Sequence, residues 1–207
     1  TWGAASYMQI MASELSDKML DAIKRRVGVE RADGLVYGEV WEDATTKISY
    51  GTRKKYFWGR ELDTVMNYPV QKAIIAYVRS GDHAYMRKTL ESIYTNYPPD
   101  AANSLMNILG THDTERILTA VGDREASAVP YHERSEHRMG TERRRRAVTL
   151  MKLAAAIQMS VPGVPCIYYG DEAGLEGYGD PFCRLPYPWG REDESLLSFY
   201  RTITAAR

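Results

Sequence analysis

The sequence predicts an α/β fold built on a parallel β-sheet. Short apolar runs of strand length alternate along its 207 residues with longer segments of helical periodicity, a rhythm typical of parallel strands joined by helical crossovers. Two of the runs lead into carboxylates: Glu39 follows the run 34–37, and Asp113 follows the run 105–109. Side chains at the carboxyl ends of parallel strands share one catalytic edge, so we expect these acids to serve one site.

The order of the elements predicts about half of a barrel. Strands are expected at residues 34–40, 62–66, 104–109 and 164–169. Helices are expected at residues 13–27, 70–79, 82–96 and 142–160, and from about residue 192 onwards. Ser13 or Ser16 can cap the first helix and Gly28 is expected to end it, whereas the segments 45–60 and 122–141 are expected to be loops. Four strand–helix units correspond to half of an eight-stranded (β/α)8 barrel, which typically takes ~250 residues.

Composition and charge restrict the function classes. Lys and Arg together number 27, and so do Asp and Glu, so no net field favours nucleic acid or an anionic membrane. The run Arg143–Arg146 is expected to be a solvated helix face, and no apolar segment is long enough to cross a bilayer. Cys166 and Cys183 are too few for a disulfide framework. No cofactor or metal is expected, because no clustered run of Asp is present, and a cytoplasmic location is favoured.

Four sequence blocks resemble the α-amylase superfamily, glycoside hydrolase family 13, in their order and spacing. They are GEVWED at 38–43, LDTVMNYP at 62–69, LGTHDTERIL at 109–118 and the long block at 161–189. Within the superfamily they are most similar to the neopullulanase, cyclomaltodextrinase and maltogenic amylase branch. The resemblance covers residues 12–207. It implies the C-terminal half of the catalytic barrel, about its last four strand–helix units, from a retaining glycosidase that acts on α-1,4 and α-1,6 glucans.

The resemblance also implies a role for each matched side chain. Glu39 corresponds to the general acid/base, a role that partial burial of a carboxyl group favours. Asp113 corresponds to the carboxylate that binds sugar hydroxyls and stabilises the transition state, and His112 to a hydrogen-bonding partner of the same sugar ring. Trp41 and Arg184 are expected to contact the substrate, although ordinary packing is an equal alternative for Trp41.

The carboxylate that should act as nucleophile is missing from the family pattern. A retaining glycosidase needs a second carboxylate ~5–5.5 Å from the acid/base. The family pattern Gly-Trp/Phe-Arg-Leu-Asp-Val-Ala runs into the first helix, but Met8 stands here in place of its arginine and Ile10 in place of its aspartate. Isoleucine cannot form a glycosyl ester. Residues 1–11 are therefore expected to be an atypical leader, and residues 12–207 the half-barrel.

These observations favour one function and leave alternatives. The leading hypothesis is a fragment of an α-glucan hydrolase with the acid/base and stabilising carboxylates but no nucleophile, inactive alone. The alternatives are a non-catalytic glucan-binding or assembly module and a fragment with no selected function. The expected partner is an α-glucan oligosaccharide. Because a half-barrel leaves sheet edges unpaired, self-association or pairing with a complementary N-terminal half is also expected.

Overall fold

The computed structural model describes residues 7–123 and 128–207. Residues 1–6 of the predicted leader, and 124–127 of the predicted loop, lie outside the described residues. The contacts divide the chain into two compact units. The first comprises the described residues up to 70, together with 87–107 and 162–164, and the second comprises the other described residues.

Strands and helices alternate along the chain. In order they are β1 (Tyr7–Ile10), α1 (Asp17–Glu30), β2 (Leu35–Gly38), β3 (Ile48–Ser49), β4 (Thr52–Arg53), β5 (Thr64–Val65), α2 (Tyr68–Ser80), α3 (His83–Asn96), α4 (Pro99–Asn103), β6 (Met106–Ile108), α5 (Ile117–Gly122), α6 (Thr141–Ser160), β7 (Val164–Cys166) and α7 (Glu194–Ala206). Single 3-10 turns occur at Ala12–Glu14 and Tyr131–Glu133.

The first unit is organised by a parallel sheet in the order β1-β2-β5. Gly38 of β2 lies opposite Ile10 on one side and Val65 on the other. In β2, Val36 and Tyr37 are both buried, although they point to opposite faces of the sheet. Burial on both faces is characteristic of parallel strands covered by helices. The predicted parallel sheet is confirmed, and β1 adds a strand that lies within the predicted leader.

Parallel pairing continues from β5 along the chain of the first unit. Met66, just after β5, forms an isolated parallel bridge with Met106 of β6, and the N–H of Asn67 donates to the carbonyl of Met106 at 2.9 Å. The N–H of Val164 donates to the carbonyl of Leu105 at 2.7 Å. The parallel strands β1, β2, β5, β6 and β7 therefore neighbour one another in chain order, as crossover connections require, with the antiparallel hairpin β3–β4 inserted between β2 and β5.

Two local predictions were wrong. Helix α1 does not end at Gly28 but continues to Glu30, because nothing forces Gly28 out of helical geometry. The start of the helix agrees with the predicted cap, since the Ser16 hydroxyl accepts a hydrogen bond from the N–H of Met19 at 3.3 Å. The segment 45–60 contains the hairpin β3–β4. Its turn places Tyr50 and Gly51 at positive φ, 51° and 75°. Tyr-Gly is not among the usual signals for such a turn, which explains the miss.

In the second unit, the buried helix α5 packs against α6. Helix α5 was not predicted because it has only six residues and follows a polar motif. The arginine run at the start of α6 is largely paired: Arg143 with Asp123 at 3.0 Å, Arg144 with Glu176 at 2.6 Å, and Arg145 with Glu142 at 2.7 Å. Among the described residues, no helix has the length and apolar character needed to span a membrane.

Two glycines give a matched test of packing. A methyl group at Gly122 would contact Ala147 and lie 2.7 Å from the Met139 sulfur, whereas one at Gly28 would meet nothing within 4 Å. We expect Gly122→Ala to lower the free energy of unfolding by about 1–3 kcal/mol through overpacking. Gly28→Ala should raise it by up to about 1 kcal/mol, because alanine favours helix. Urea denaturation followed by circular dichroism measures both; a stabilised Gly122→Ala would contradict the close approach of α5 and α6.

Candidate active site

In the first unit, Glu39 is held at the carboxyl end of β2. Its N–H donates to the carbonyl of Ile10 at 2.7 Å, which extends the β1–β2 pairing by one residue. The residue is only 7% exposed, and the next residue, Val40, is buried. Glu39 is therefore held at a strand end and largely shielded from solvent.

Three side chains donate hydrogen bonds to the Glu39 carboxylate. Trp41 Nε1 donates to Oε1 at 3.1 Å, the Tyr68 hydroxyl to the same oxygen at 3.3 Å, and Gln9 Nε2 to Oε2 at 3.5 Å. The Trp41 and Tyr68 rings are stacked, with centroids 4.3 Å apart and planes 13° apart. Trp41 remains 39% exposed, so its indole has surface left for a ligand. Hydrogen-bond donors around a carboxylate fix its orientation.

Sequence reasoning missed two of these donors. Tyr68 lies in the block LDTVMNYP but was given no role. Gln9 lies where the sequence departs from the family pattern, so no motif could indicate it. Both were found only because the fold brings them to Glu39 from β1 and from the start of α2.

The structure also changes which residue of β1 lies beside Glu39. Gln9 reaches the Glu39 carboxylate, and side chains alternate between the faces of a strand. Ile10 therefore points to the opposite face, that of its partner Gly38, where an added Cβ would contact Leu62 and Ala12. The sequence placed Ile10 at the nucleophile's position. The side chain of β1 that contacts the Glu39 carboxylate is the carboxamide of Gln9.

In the second unit, a tight turn after β6 positions Asp113. The hydroxyl of Thr111 accepts hydrogen bonds from the N–H groups of Asp113 and Thr114, both at 3.2 Å. The N–H of Thr111 donates in return to the Thr114 hydroxyl at 2.9 Å. These bonds pair the backbone groups that a turn leaves without partners, so the Asp113 side chain starts from a fixed backbone.

Two predicted substrate-binding residues lie against Asp113. His112 Nε2 is 3.2 Å from Oδ2, and Arg184 Nη2 donates to Oδ1 at 3.2 Å. Arg184 also pairs with Asp180. His112 and Asp113 are both partly exposed, which leaves them accessible to a ligand. The structure therefore brings His112, Asp113 and Arg184 together, while Glu39 and Trp41 belong to the first unit.

Arg116 anchors the segment that carries Arg184. It is fully buried, its Nε donates to the carbonyl of Cys183 at 2.7 Å, and its Nη1 lies 3.2 Å from Asp171 Oδ1 and contacts the Tyr169 carbonyl. Burial raises the pKa of Asp171 to about 7, and the opposing charge of Arg116 offsets only part of that effect. Arg116 thus holds structure, because its Nε and Nη1 contact two carbonyl groups and the Asp171 carboxyl group.

Comparison with known proteins places the chain in a family. A family model described as the alpha-amylase catalytic domain matches residues 7–201. Amylopullulanase from Thermoanaerobacter thermohydrosulfuricus is 32% identical over 217 residues, covering 99% of this chain and 14% of that protein. Neopullulanase 2 from Thermoactinomyces vulgaris is 31% identical over 201 residues, covering 95% of this chain and 29% of that protein. The chain thus spans less than a third of the length of either relative.

The solved structures agree with the sequence relatives. A cyclomaltodextrinase structure superposes with a TM-score of 0.76 at 28% identity, covering 99% of this chain and 30% of that one. The family match and this superposition show the TIM-barrel fold with its parallel sheet. The proteins that match this segment include glycosidases named for α-glucans. By its catalytic-domain match and by these relatives, the chain belongs to the alpha-amylase family.

Proposed function

We propose that this chain carries the general acid/base and the transition-state-stabilising carboxylate of a retaining α-glucan hydrolase, and that it lacks the nucleophile and is inactive alone. The observation that carries the proposal is the setting of Glu39, a nearly buried carboxylate at a strand end with three hydrogen-bond donors. Membership of the alpha-amylase family supports the reaction class.

Each carboxylate has a distinct task in this proposal. Once a nucleophile from outside this chain attacks the sugar, Glu39 would donate its proton to the glycosidic oxygen as that bond breaks, and would then accept a proton from the water that hydrolyses the covalent intermediate. Trp41 and Tyr68 hold its carboxyl group in one orientation. Asp113, oriented by His112 and Arg184, binds sugar hydroxyls and stabilises the positive charge that develops on the ring.

The absence of a nucleophile is proposed from two residues of β1. Ile10 occupies the position of the family's aspartate in sequence, and Gln9 is the residue of β1 that contacts Glu39. Neither side chain is a carboxylate, so neither can form the covalent glycosyl intermediate that a retaining enzyme requires.

The extent of the barrel is also a proposal. We propose that residues 12–207 form its C-terminal half, about four strand–helix units, and that residues 1–11 are an atypical leader. Residues 7–10 of this leader form β1, and the family match begins at residue 7. What is atypical in the leader is therefore the identity of its side chains.

The proposed ligand is an α-glucan oligosaccharide, consistent with the names of the relatives, which refer to amylose-type glucans and pullulan. In the sheet β1-β2-β5, strand β1 is at the edge. An unpaired edge favours pairing with another strand, so a second copy or a complementary N-terminal half is the proposed protein partner. A non-catalytic glucan-binding module would use the same His112 and Asp113 without turnover.

The proposal is tested by hydrolysis of 4-nitrophenyl α-maltoside. We expect the chain alone to release nitrophenol at the background rate and Glu39→Gln to give the same rate, because an acid without a nucleophile completes no double displacement. Calorimetry with maltoheptaose should detect binding that Asp113→Asn weakens. Turnover that Glu39→Gln abolishes would show that a nucleophile is present; absence of binding at millimolar sugar would reject the ligand.

A further inference from the structure

Side chains from three segments meet at a buried carboxylate in the second unit. Asp123, which follows α5, is only 2% exposed. The Tyr178 hydroxyl donates to its Oδ2 at 2.9 Å, Arg143 Nη1 lies 3.0 Å from its Oδ1, and His137 Nε2 lies 3.5 Å from its Oδ2. The buried charge of Asp123 therefore ties together the start of α6, the chain before it and the chain around Tyr178.

Tyr178 begins the segment that carries Arg184. This segment, residues 178–184, lies against the turn of Asp113. Arg184 Nη2 donates to Asp113 Oδ1 at 3.2 Å, and Cys183 Sγ contacts the carbonyl of the residue before Asp113 at 2.9 Å. Any change in how firmly this segment is held therefore reaches the Asp113 carboxylate.

The same segment is also contacted by residues 131–137, which we call the clasp loop. The rings of Tyr131 and Phe182 meet edge to face, with centroids 5.0 Å apart. The His137 ring lies 5.8 Å from the ring of Tyr178. The segment 178–184 therefore contacts both the clasp loop and the turn of Asp113.

Of the side chains that contact Asp123, His137 is the one whose type changes charge near neutral pH. The ordinary pKa of an imidazole places this change between about pH 5 and 8. Burial, followed by the hydrogen bond to Asp123, raises the pKa of Tyr178, so the phenol keeps its proton. The His137 side chain is only 33% exposed, and charges attract more strongly where water is excluded. A proton on His137 therefore adds a positive charge that the buried carboxylate attracts.

Other charged groups surround this contact. Besides Asp123 they are the carboxylates of Glu115, Glu133, Glu136 and Glu176 and the cations Arg79, Arg134, Arg138, Arg143 and Arg144. Arginine stays charged at all these pH values. Burial raises the pKa of Glu115, and burial raises that of Asp171 to about 7, so both of these groups add a pH dependence of their own. The part that belongs to His137 is the part that is lost when the imidazole is removed.

We propose that His137 is a proton-controlled contact that holds the clasp loop at Asp123 more firmly at acidic pH, and through it holds the segment 178–184 against the turn of Asp113. The contact itself is independent of the proposed function. Its consequence for sugar binding rests on the proposed function, because it acts through Arg184 on the carboxylate assigned to the sugar.

The experiment measures hydrogen exchange at the backbone N–H groups of Phe182 and Arg184 in the full chain, at about pH 5.5 and about pH 8. These groups donate within the segment, to the carbonyls of Gly179 at 3.0 Å and Pro181 at 3.1 Å. After correction for the intrinsic effect of pH on exchange, we expect greater protection at the acidic pH. His137→Gln should reduce the ratio of the two protections about two- to fivefold, the effect of one partly exposed ion pair.

The matched control is His132→Gln in the same loop. His132 Nε2 also lies 3.5 Å from a carboxylate, that of Glu133, but both of these side chains are exposed. This variant should keep the ratio of the wild-type protein. An unchanged ratio in His137→Gln, or an equal reduction in His132→Gln, would overturn the proposal.

Sugar binding separates this inference from the proposed function. Calorimetry with maltoheptaose should show that His137→Gln weakens binding at the acidic pH and leaves it unchanged at the alkaline pH. The expected exchange result without any sugar binding would reject the proposed function and leave the His137 contact standing. Sugar binding with no effect of His137→Gln on exchange would reject the contact and leave the proposed function standing.

Discussion

Replacing Arg116 with methionine is expected to lower the free energy of unfolding by about 3–5 kcal/mol, the usual cost of breaking a buried ion pair. The change leaves the buried Asp171 without its cation and removes the donor to the Cys183 carbonyl. Urea denaturation measures the loss. The matched control is Arg145→Met, whose exposed side chain pairs with Glu142 three residues before it. This change should alter stability little.

The cost of Arg116→Met should also depend on pH. Burial raises the pKa of Asp171 from 3.8 to about 7 in the folded protein. A carboxyl group whose pKa is raised by folding stabilises the folded protein at pH values below its pKa in the unfolded chain. This stabilisation is lost as the pH rises through the pKa of the group in the folded protein. The wild-type protein should therefore lose stability between about pH 4 and pH 7, and Asp171→Asn should flatten that slope.

Arg116→Met should accordingly destabilise the fold more at pH 8 than at pH 5. At pH 8 Asp171 is charged in the folded and in the unfolded protein, whereas at pH 5 the folded protein can hold Asp171 protonated. Equal losses at the two pH values, or a loss no larger than that of Arg145→Met, would contradict the assignment of Arg116 as the partner of a buried carboxyl group.

A carboxylate introduced beside Glu39 is expected to create activity that the unmodified chain lacks. In Gln9→Glu, the new side chain lies on the face of β1 that contacts Glu39 at 3.5 Å. Repulsion between the two carboxylates should move them apart toward the ~5–5.5 Å of a retaining pair, where the new carboxylate can attack the anomeric carbon while Glu39 protonates the leaving group. With 4-nitrophenyl α-maltoside we expect release of nitrophenol to rise on the order of 10²-fold or more over the unmodified chain.

The matched control is Ile10→Asp, which places a carboxylate one residue along the same strand but on the opposite face. It should show no gain. The gain in Gln9→Glu should disappear when Glu39→Gln is added. A gain in Ile10→Asp alone would show that the sequence register, and not the observed contact, identifies the nucleophile's position. No gain in either variant would show that more than a nucleophile is missing.

How far the sequence predicted the fold depended on the length of each element. Helix α6 was predicted at 142–160 and spans 141–160, because apolar residues recur at helical spacing from Ala147 onwards and Pro162-Gly163 follows the helix. Two short elements outside the apolar runs were missed, α5 with six residues and the hairpin β3–β4 with four in its strands, whereas the short strands β5, β6 and β7 were predicted from longer apolar runs. Segments this short contain too few residues for a period to be read.

The residues of the candidate site also divide into those that the sequence indicated and those that only the structure revealed. Motifs alone nominated Glu39, His112, Asp113, Trp41 and Arg184, and the structure shows His112 and Arg184 against Asp113 and Trp41 against Glu39. Tyr68 lay in a recognised block without an assigned role. Gln9 lay in a segment with no family pattern, so only its contact with Glu39 could reveal it.

The sequence by itself determined the family, the parallel arrangement of strands and the acids at their carboxyl ends, because apolar periodicity and motif order are properties of neighbouring residues. The tertiary structure decided which side of β1 faces Glu39 and which arginine is buried. Those properties depend on strand register and on packing between segments distant in the chain. A shift of one residue in register exchanges the two faces of a strand and leaves the sequence unchanged.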